Sequence, residues 1–301
     1  MPQEPVWFPR EEILSYEEIL RVVRILIGRG VRRFRITGGE PLVRSEIRTF
    51  VGMMAQTEGV LDLSLTTNGT LLSAMAKGLA EAGLKRINVS LDTLVPERFE
   101  RLTRRPALGA VLLGLEEASR VGLRPIKVNT VLLRGRNDDE VESLVGRARE
   151  EGWEIRFIEF MPLENGEIWD LTRVVSGAEV RRRIERVWPL ERDPDGDPHA
   201  PATRFLFRDG RGAVGFINSV TEPFCAHCSR IRLTSDGHFP VCLYDSRATD
   251  LKSLLRQGAT DAVLDSAIEA AVLGKERGGA LEILERRARL PLSRTMHQIG
   301  G

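Results

Sequence analysis

Along the first half of the chain, short apolar and β-branched stretches alternate with longer segments whose apolar residues recur every three or four positions. The short stretches read as strands: Phe34–Thr37, Leu61–Thr67, Arg86–Leu91, Ile126–Leu132 and Ile155–Phe160. Helical periodicity covers 17–29, 44–56, 72–82, 107–121 and 138–150. Strands separated from one another by one helix each imply parallel pairing through right-handed crossovers. An open doubly wound sheet satisfies that pattern, and so does a complete or partial (β/α) barrel. In either fold, ligands gather at the carboxyl ends of the strands. Those ends carry Arg35 and Gly39, Thr66 and Asn68, Ser90 and Asp92, Lys127 and Asn129, Glu159 and Met161, a set polar enough to form a mouth.

After Pro162 the rhythm changes. Ser176–Trp188 reads as one helix with Ser176 as its cap, and 191–201, rich in Asp, Pro and Gly, reads as a linker. Arg204–Phe207 and Ala213–Val220 flank Asp209-Gly210, a hairpin signal; a second hairpin is expected at Asp236-Gly237, between Ile231–Leu233 and Phe239–Leu243. Two short helices follow at 249–256 and 261–273. The expected division is therefore 1–162, a (β/α) unit, and 163–301, an α+β region.

Charge and composition narrow the function classes. Forty-four Lys and Arg against 43 Asp and Glu leave a net charge of +1, which argues against a polybasic nucleic-acid or membrane-surface protein but allows a local basic pocket. Hydrophobic residues at 42% suffice for a core, and apolar runs such as Ala110–Leu113 are far shorter than the roughly 20 residues of a membrane helix. No charged-then-apolar leader opens the chain, so a soluble cytoplasmic protein is expected.

The sharpest chemical signal is Cys225-Ala-His-Cys228, with Cys242 after thirteen intervening residues; these are the chain's three Cys. A Cys-x-x-Cys turn with a third Cys returning across a hairpin suits a metal centre. Zinc would need a fourth ligand, for which His227 is the candidate. An iron–sulfur cluster would use three Cys and leave one iron open to a substrate atom. Spacing alone leaves both open. Arg230 and Arg232 follow; on a strand both guanidiniums share one face, where paired forks suit a phosphate chain. Thr37-Gly38-Gly39-Glu40-Pro41 would allow close backbone approach of a ligand, with Glu40 able to accept from an ammonium group. Lys127, inside an apolar strand, points either outward or inward toward an anion. No GxGxxG or P-loop cradle is present.

Taken together, these segments resemble the MoaA-type GTP 3′,8-cyclases, radical S-adenosylmethionine (SAM) enzymes of molybdenum cofactor biosynthesis. The resemblance is carried in order by Arg35-Ile-Thr-Gly-Gly-Glu-Pro41, Leu65-Thr-Thr-Asn-Gly69, Ile87-Asn-Val-Ser-Leu-Asp92, Lys127-Val-Asn129, Phe157-Ile-Glu-Phe-Met-Pro162, Pro223-Phe-Cys225, Cys228-Ser-Arg-Ile-Arg-Leu-Thr234, Cys242-Leu243 and Ile299-Gly-Gly301. It implies an incomplete (β/α) barrel with a C-terminal region carrying an auxiliary 4Fe–4S cluster. It implies that Gly39, Ser90 and Met161 contact SAM. Arg35, Thr66, Lys127, Arg230, Ile231 and Arg232 would contact GTP, and Cys225, Cys228 and Cys242 would hold the auxiliary cluster. Gly300 and Gly301 would reach the active site as a catalytic tail. The implied reaction converts GTP to 3′,8-cyclo-7,8-dihydroguanosine 5′-triphosphate by a 5′-deoxyadenosyl radical. A reductant would serve the clusters, and a MoaC-type cyclic pyranopterin synthase would take the product onward.

One departure is large. Radical SAM enzymes hold their SAM-cleaving 4Fe–4S cluster with Cys-x3-Cys-x2-Cys, and these 301 residues contain no such motif. Since Met-Pro commonly follows the third of those Cys, the opening Met1-Pro2 suggests a shortened or misassigned start, with the first strand and three ligands missing. The chain as written is then expected to bind GTP without cyclising it. The rival reading is a non-catalytic nucleotide-binding protein with a structural zinc at the three Cys.

Overall fold

The alternation of side chains along each strand sorts the sheet into an apolar face and a polar one. The computed structural model describes residues 8–162, 169–244 and 248–275. Its main sheet has eight strands: β1 (Arg33–Ile36), β2 (Asp62–Thr67), β3 (Arg86–Ser90), β4 (Ile126–Leu132), β5 (Glu154–Glu159), β6 (Leu190–Arg192), β7 (Thr203–Phe207) and β8 (Ala213–Ile217). The spatial order is β1-β2-β3-β4-β5-β8-β7-β6. Strands β1 to β5 pair in parallel, β8 joins β5 in parallel, and β7 and β6 follow in antiparallel pairs.

That order decides between the two architectures. From β1 to β5 the chain steps across the sheet in one direction only, so right-handed crossovers place their helices on the same face. A doubly wound sheet needs a reversal of strand order among its parallel crossover strands, and none occurs from β1 to β5. The helices are α1 (Tyr16–Gly28), α2 (Ile47–Gln56), α3 (Leu72–Glu81), α4 (Pro96–Thr103), α5 (Leu108–Arg120), α6 (Val141–Glu151) and α7 (Gly177–Glu185). Leu63, Leu65, Ile87, Val89, Val128 and Ile155 of the strands share one core with Leu20, Val51, Leu79, Leu115, Val145 and Ile184 of the helices. The result is an unclosed (β/α) barrel whose edges, among the described residues, are β1 and β6. The sheet runs without a break across position 162, because β5 and β8 are hydrogen-bonded neighbours.

The C-terminal region closes over α1. A short antiparallel pair, β9 (His238–Phe239) and β10 (Thr249–Asp250), leads into α8 (Leu251–Arg256) and α9 (Asp261–Leu273). Phe239, Val241, Leu251, Leu264 and Ile268 form a second core with Leu14, Val22 and Leu26. Helix α1 thus serves both cores, giving Leu20 and Val23 to the barrel and Val22 and Leu26 to the C-terminal region. Arg21 Nε to Asp261 Oδ1 at 2.7 Å and Arg29 to Asp265 and Glu269 tie the same helix to α9.

Several expectations need correction. The segment read as one helix at 107–121 is preceded by α4, which the apolar pattern missed because Phe99 is its one buried residue. The linker at 191–201 begins inside β6. The helix expected from 44 starts at Ile47, after a tight turn over Pro41–Val43. The Asp236-Gly237 turn is present, with Arg232 N to Pro240 O at 3.1 Å and Thr234 N to His238 O at 2.9 Å, but no strand forms at 231–233, and the returning strand is confined to β9, which pairs with β10. No helix among the described residues is long and apolar enough to cross a membrane.

Candidate functional site

The strand face turned away from the helices is charged. Register sets Thr66 of β2 beside Asn88 of β3, Asn88 beside Lys127 of β4, and Lys127 beside Glu154 of β5. A second row runs Asn129, Arg156, Gly215 and Arg204 across β4, β5, β8 and β7. A side chain on Gly215 would begin 3.1 Å from Arg156 Cγ, so glycine there leaves room for the flanking arginines. Asn88 Nδ2 donates to Thr66 Oγ1 at 3.1 Å, and Arg86 Nε donates to Asp62 Oδ1 at 2.6 Å. Lys127 therefore points inward, settling the choice that the sequence left open.

Glu154 organises the middle of this face. Its Oε1 accepts from Arg156 Nε at 2.7 Å and lies 3.6 Å from Lys127 Nζ, while Oε2 accepts from Arg204 Nε at 3.1 Å. Burial pushes the Glu154 carboxyl up, but Arg156, Lys127 and Arg204 outweigh it and hold the group below the usual carboxylate range. Lys127 moves the other way: burial first, then Arg156, lowers its ammonium to about 8. Arg35 falls to about 10 through burial and the charges of Arg156, Arg86 and Arg230. Arg35 has no ion-pair partner among the described residues.

Arg230 carries this field to the cysteine segment. A tight turn over Phe224–His227 closes with Cys228 N to Cys225 O at 3.3 Å. No strand forms over 230–232, so the expected strand face is not what sets Arg230 and Arg232; Ile231 between them packs toward the C-terminal core, and Arg230 acts on Arg232 electrostatically. The Arg230 guanidinium stacks 4.7 Å from the Phe224 ring centre. Arg232 is lowered to about 10 by burial and Arg230, with Cys242 and Cys228 opposing. Burial raises the Cys228 thiol, yet Arg230 and Lys275 bring it below the ordinary thiol range. Cys242 and Cys225 both act on Tyr244, whose hydroxyl burial drives upward. The three half-buried cysteines and the two arginines thus form one neighbourhood, joined to Arg35 through Arg230. Lys275 Nζ fastens the segment from the end of α9, at 3.0 Å from Cys228 O and 3.4 Å from Arg230 O.

The strand-end residues differ in whether side-chain contacts within the protein already occupy them. Gly39, Ser90 and Met161 sit at the carboxyl ends of β1, β3 and β5, and Gly38 beside them, at φ +154°, has open space where a side chain would start. Glu40 is not free for an ammonium ligand: it accepts from Leu42 N, Thr67 Oγ1 and Asn68 N at 3.0, 2.7 and 2.7 Å, pinning the β1 loop to the β2 loop. Asp92 is buried with its carboxyl raised to about 6, and it accepts from Val131 N at 2.8 Å. Glu159 turns to the helix side, where Gly177 N, Val220 N and Thr221 N converge on it. Gly300 and Gly301 lie outside the described residues. The strand-end reading missed Arg156, Glu154 and Arg204, although the parity of Glu154-Ile-Arg156 was visible in the sequence.

Comparison with known proteins adds a family to this geometry. Residues 3–148 match the radical SAM superfamily and residues 153–281 match Molybdenum Cofactor Synthesis C. The GTP 3′,8-cyclase of Acidothermus cellulolyticus is 44% identical over 88% of this chain and 74% of its own length. The GTP 3′,8-cyclase of Moorella thermoacetica is 44% identical over 97% of this chain and 88% of its own. That of Pelotomaculum thermopropionicum is 43% identical over the whole of this chain and 92% of its own. The chain belongs to the GTP 3′,8-cyclase family.

Membership of this radical SAM family raises the fit of an iron–sulfur cluster. Among the described residues no three His, Cys, Asp or Glu side chains are grouped so as to hold a metal ion, and His227, the candidate fourth zinc ligand, is exposed. The donors at 225, 228 and 242 are all thiols, and cations beside them favour the thiolate form at Cys228. That donor chemistry fits a cluster held by three thiolates. The 301 positions hold three Cys, and none of them stands in a Cys-x3-Cys-x2-Cys motif.

Proposed function

We propose that this chain binds GTP on the charged inner face of its sheet and acts in the GTP 3′,8-cyclase reaction of molybdenum cofactor biosynthesis. The observation that supports this most is the continuity of the cations: Arg35 of β1 lies within the field of Arg230, which adjoins Arg232 and the cysteines. A triphosphate is the ligand that such an arrangement suits, since guanidiniums bind its oxygens in pairs and the burial cost of their charge falls when an anion arrives. In this reading Arg35, Lys127, Arg230 and Arg232 hold the phosphates, Arg156 joins them, and Thr66 offers its hydroxyl to the nucleoside. Ile231 holds Arg230 and Arg232 in place from the C-terminal core. Gly39, Ser90 and Met161 line the SAM side of the mouth.

Cys225, Cys228 and Cys242 would hold the auxiliary cluster, which supplies an open iron for a donor atom of the guanine ring. The chain's own contribution is to grip the charged tail and so set the ring against that site. Taken alone, these 301 residues bind GTP without cleaving SAM, because they hold no further Cys for a second cluster. A MoaC-type cyclic pyranopterin synthase would receive the product of the reaction.

Titration calorimetry with GTP tests the reading. Arg232→Ala loses a charge-assisted hydrogen bond in a buried setting, so binding should weaken by about 1.5–3 kcal/mol. An unchanged Kd would remove Arg232 from the site and the reading with it.

A further inference from the structure

Glu154 is shared by cations from three strands. Arg204 also has Asp193, whereas Lys127 and Arg156 have no acid but Glu154 among the described residues. Arg35, whose charge is felt by Lys127, has no ion-pair partner among the described residues. Arg35, Arg86, Lys127, Arg156 and Arg204 therefore divide the face carboxylates Asp62 and Glu154, and Asp62 is taken up by Arg86. Without Glu154, Arg35, Lys127 and Arg156 would share this largely buried face with no carboxylate partner among the described residues, since Asp62 is held by Arg86 and Asp193 serves Arg204 alone. Such repulsion destabilises the folded state.

We infer that Glu154 is the built-in counter-ion of the empty site, a positioning residue that keeps Lys127 and Arg156 assembled until a polyphosphate replaces it. The geometry suits an exchange. The carboxylate is 9% exposed, and its 3.6 Å separation from Lys127 is a looser contact than the 2.7 Å bond to Arg156. An arriving polyphosphate supplies several negative charges, so it can draw off the ammonium first and Arg156 after it. The inference rests on the reading that GTP places its phosphates on this face. It adds that the stability of the ligand-free protein and its response to anions are linked through one side chain.

The test is thermal unfolding of the full chain and its Glu154→Gln variant, with no anion, with inorganic tripolyphosphate, and with GTP. The variant keeps the shape and an acceptor oxygen but loses the charge. Without anion it should melt about 5 °C below wild type, and saturating tripolyphosphate should close at least about half of that gap. A carboxylate that merely braces three strands would leave the gap unchanged by anion, and that result overturns the inference. If neither GTP nor tripolyphosphate shifts the wild-type transition, the binding reading itself fails; a wild-type shift with an unchanged gap removes the counter-ion role alone. Should the variant fail to fold, refolding yield with and without tripolyphosphate decides: a rise with the anion supports the role, and no rise overturns it.

Discussion

If Lys127 holds phosphate as proposed, it sets a pH limit on anion binding. Burial and Arg156 hold its ammonium near 8, against 10.5 for the solvated group. The charged form is present below that value and lost above it. The affinity that it lends to a phosphate is therefore complete below pH 8 and declines as pH rises through 8, by at most about tenfold per unit. Arg35 and Arg232, both near 10, stay charged across this window, so the break belongs to Lys127. Stability carries the opposite sign. Between about 8 and 10.5 the unfolded lysine binds the proton more tightly than the folded one, so the folded state gains as pH rises. Calorimetric GTP titrations from about pH 7 to about pH 9 should show the break in wild type, and Lys127→Arg should abolish it because a guanidinium does not titrate there. A break that persists in the arginine variant assigns the titration elsewhere.

At the scale of elements, Glu159 does the joining. Its Oε2 accepts from Val220 N and Thr221 N, both at 2.8 Å, and its Oε1 from Gly177 N at 3.1 Å and Thr221 Oγ1 at 2.6 Å. The end of β5, the start of α7 and the segment running from β8 toward Cys225 meet on this one carboxylate. Glu159→Gln replaces an acceptor pair by one acceptor and one donor facing buried N–H groups. Urea unfolding should register a loss of about 2–4 kcal/mol; a loss within about 0.5 kcal/mol would mean that the junction is held by packing instead. The sequence shows Glu159 at a strand end but not its face. The five strands of the first half were legible to within about one residue, because β-branched runs ending in polar turns mark them locally, whereas β6 and the arms beyond Asp236-Gly237 were not. Which side chains meet across strands depends on register, so Glu154, Arg156 and Arg204 stayed hidden behind the more obvious strand ends. Helix α4 was illegible for a simpler reason, since a single buried Phe99 makes no periodic stripe.

For the whole molecule, the cysteine segment reaches the barrel because α1 is apolar on two sides. Leu14, Val22 and Leu26 meet Phe239, Leu251 and Leu264 across more than two hundred positions of chain, a pairing that no local pattern announces. The cysteine inventory makes a separate prediction. With its three thiols committed to one neighbourhood, a polypeptide of these 301 residues, reconstituted with iron and sulfide and given SAM and dithionite, should release no 5′-deoxyadenosine. Its appearance would show that SAM is cleaved without a second set of cysteine ligands.

The uncommitted guanidiniums have a practical corollary. Arg35 and Arg232 have no carboxylate partner among the described residues, so on the proposed reading sulfate, citrate or phosphate carried over from a purification should compete with the nucleotide. Apparent nucleotide affinity will then depend on the buffer. A chloride-based buffer is the fair baseline, and the spread between salts is itself a gauge of how much of the grip is electrostatic.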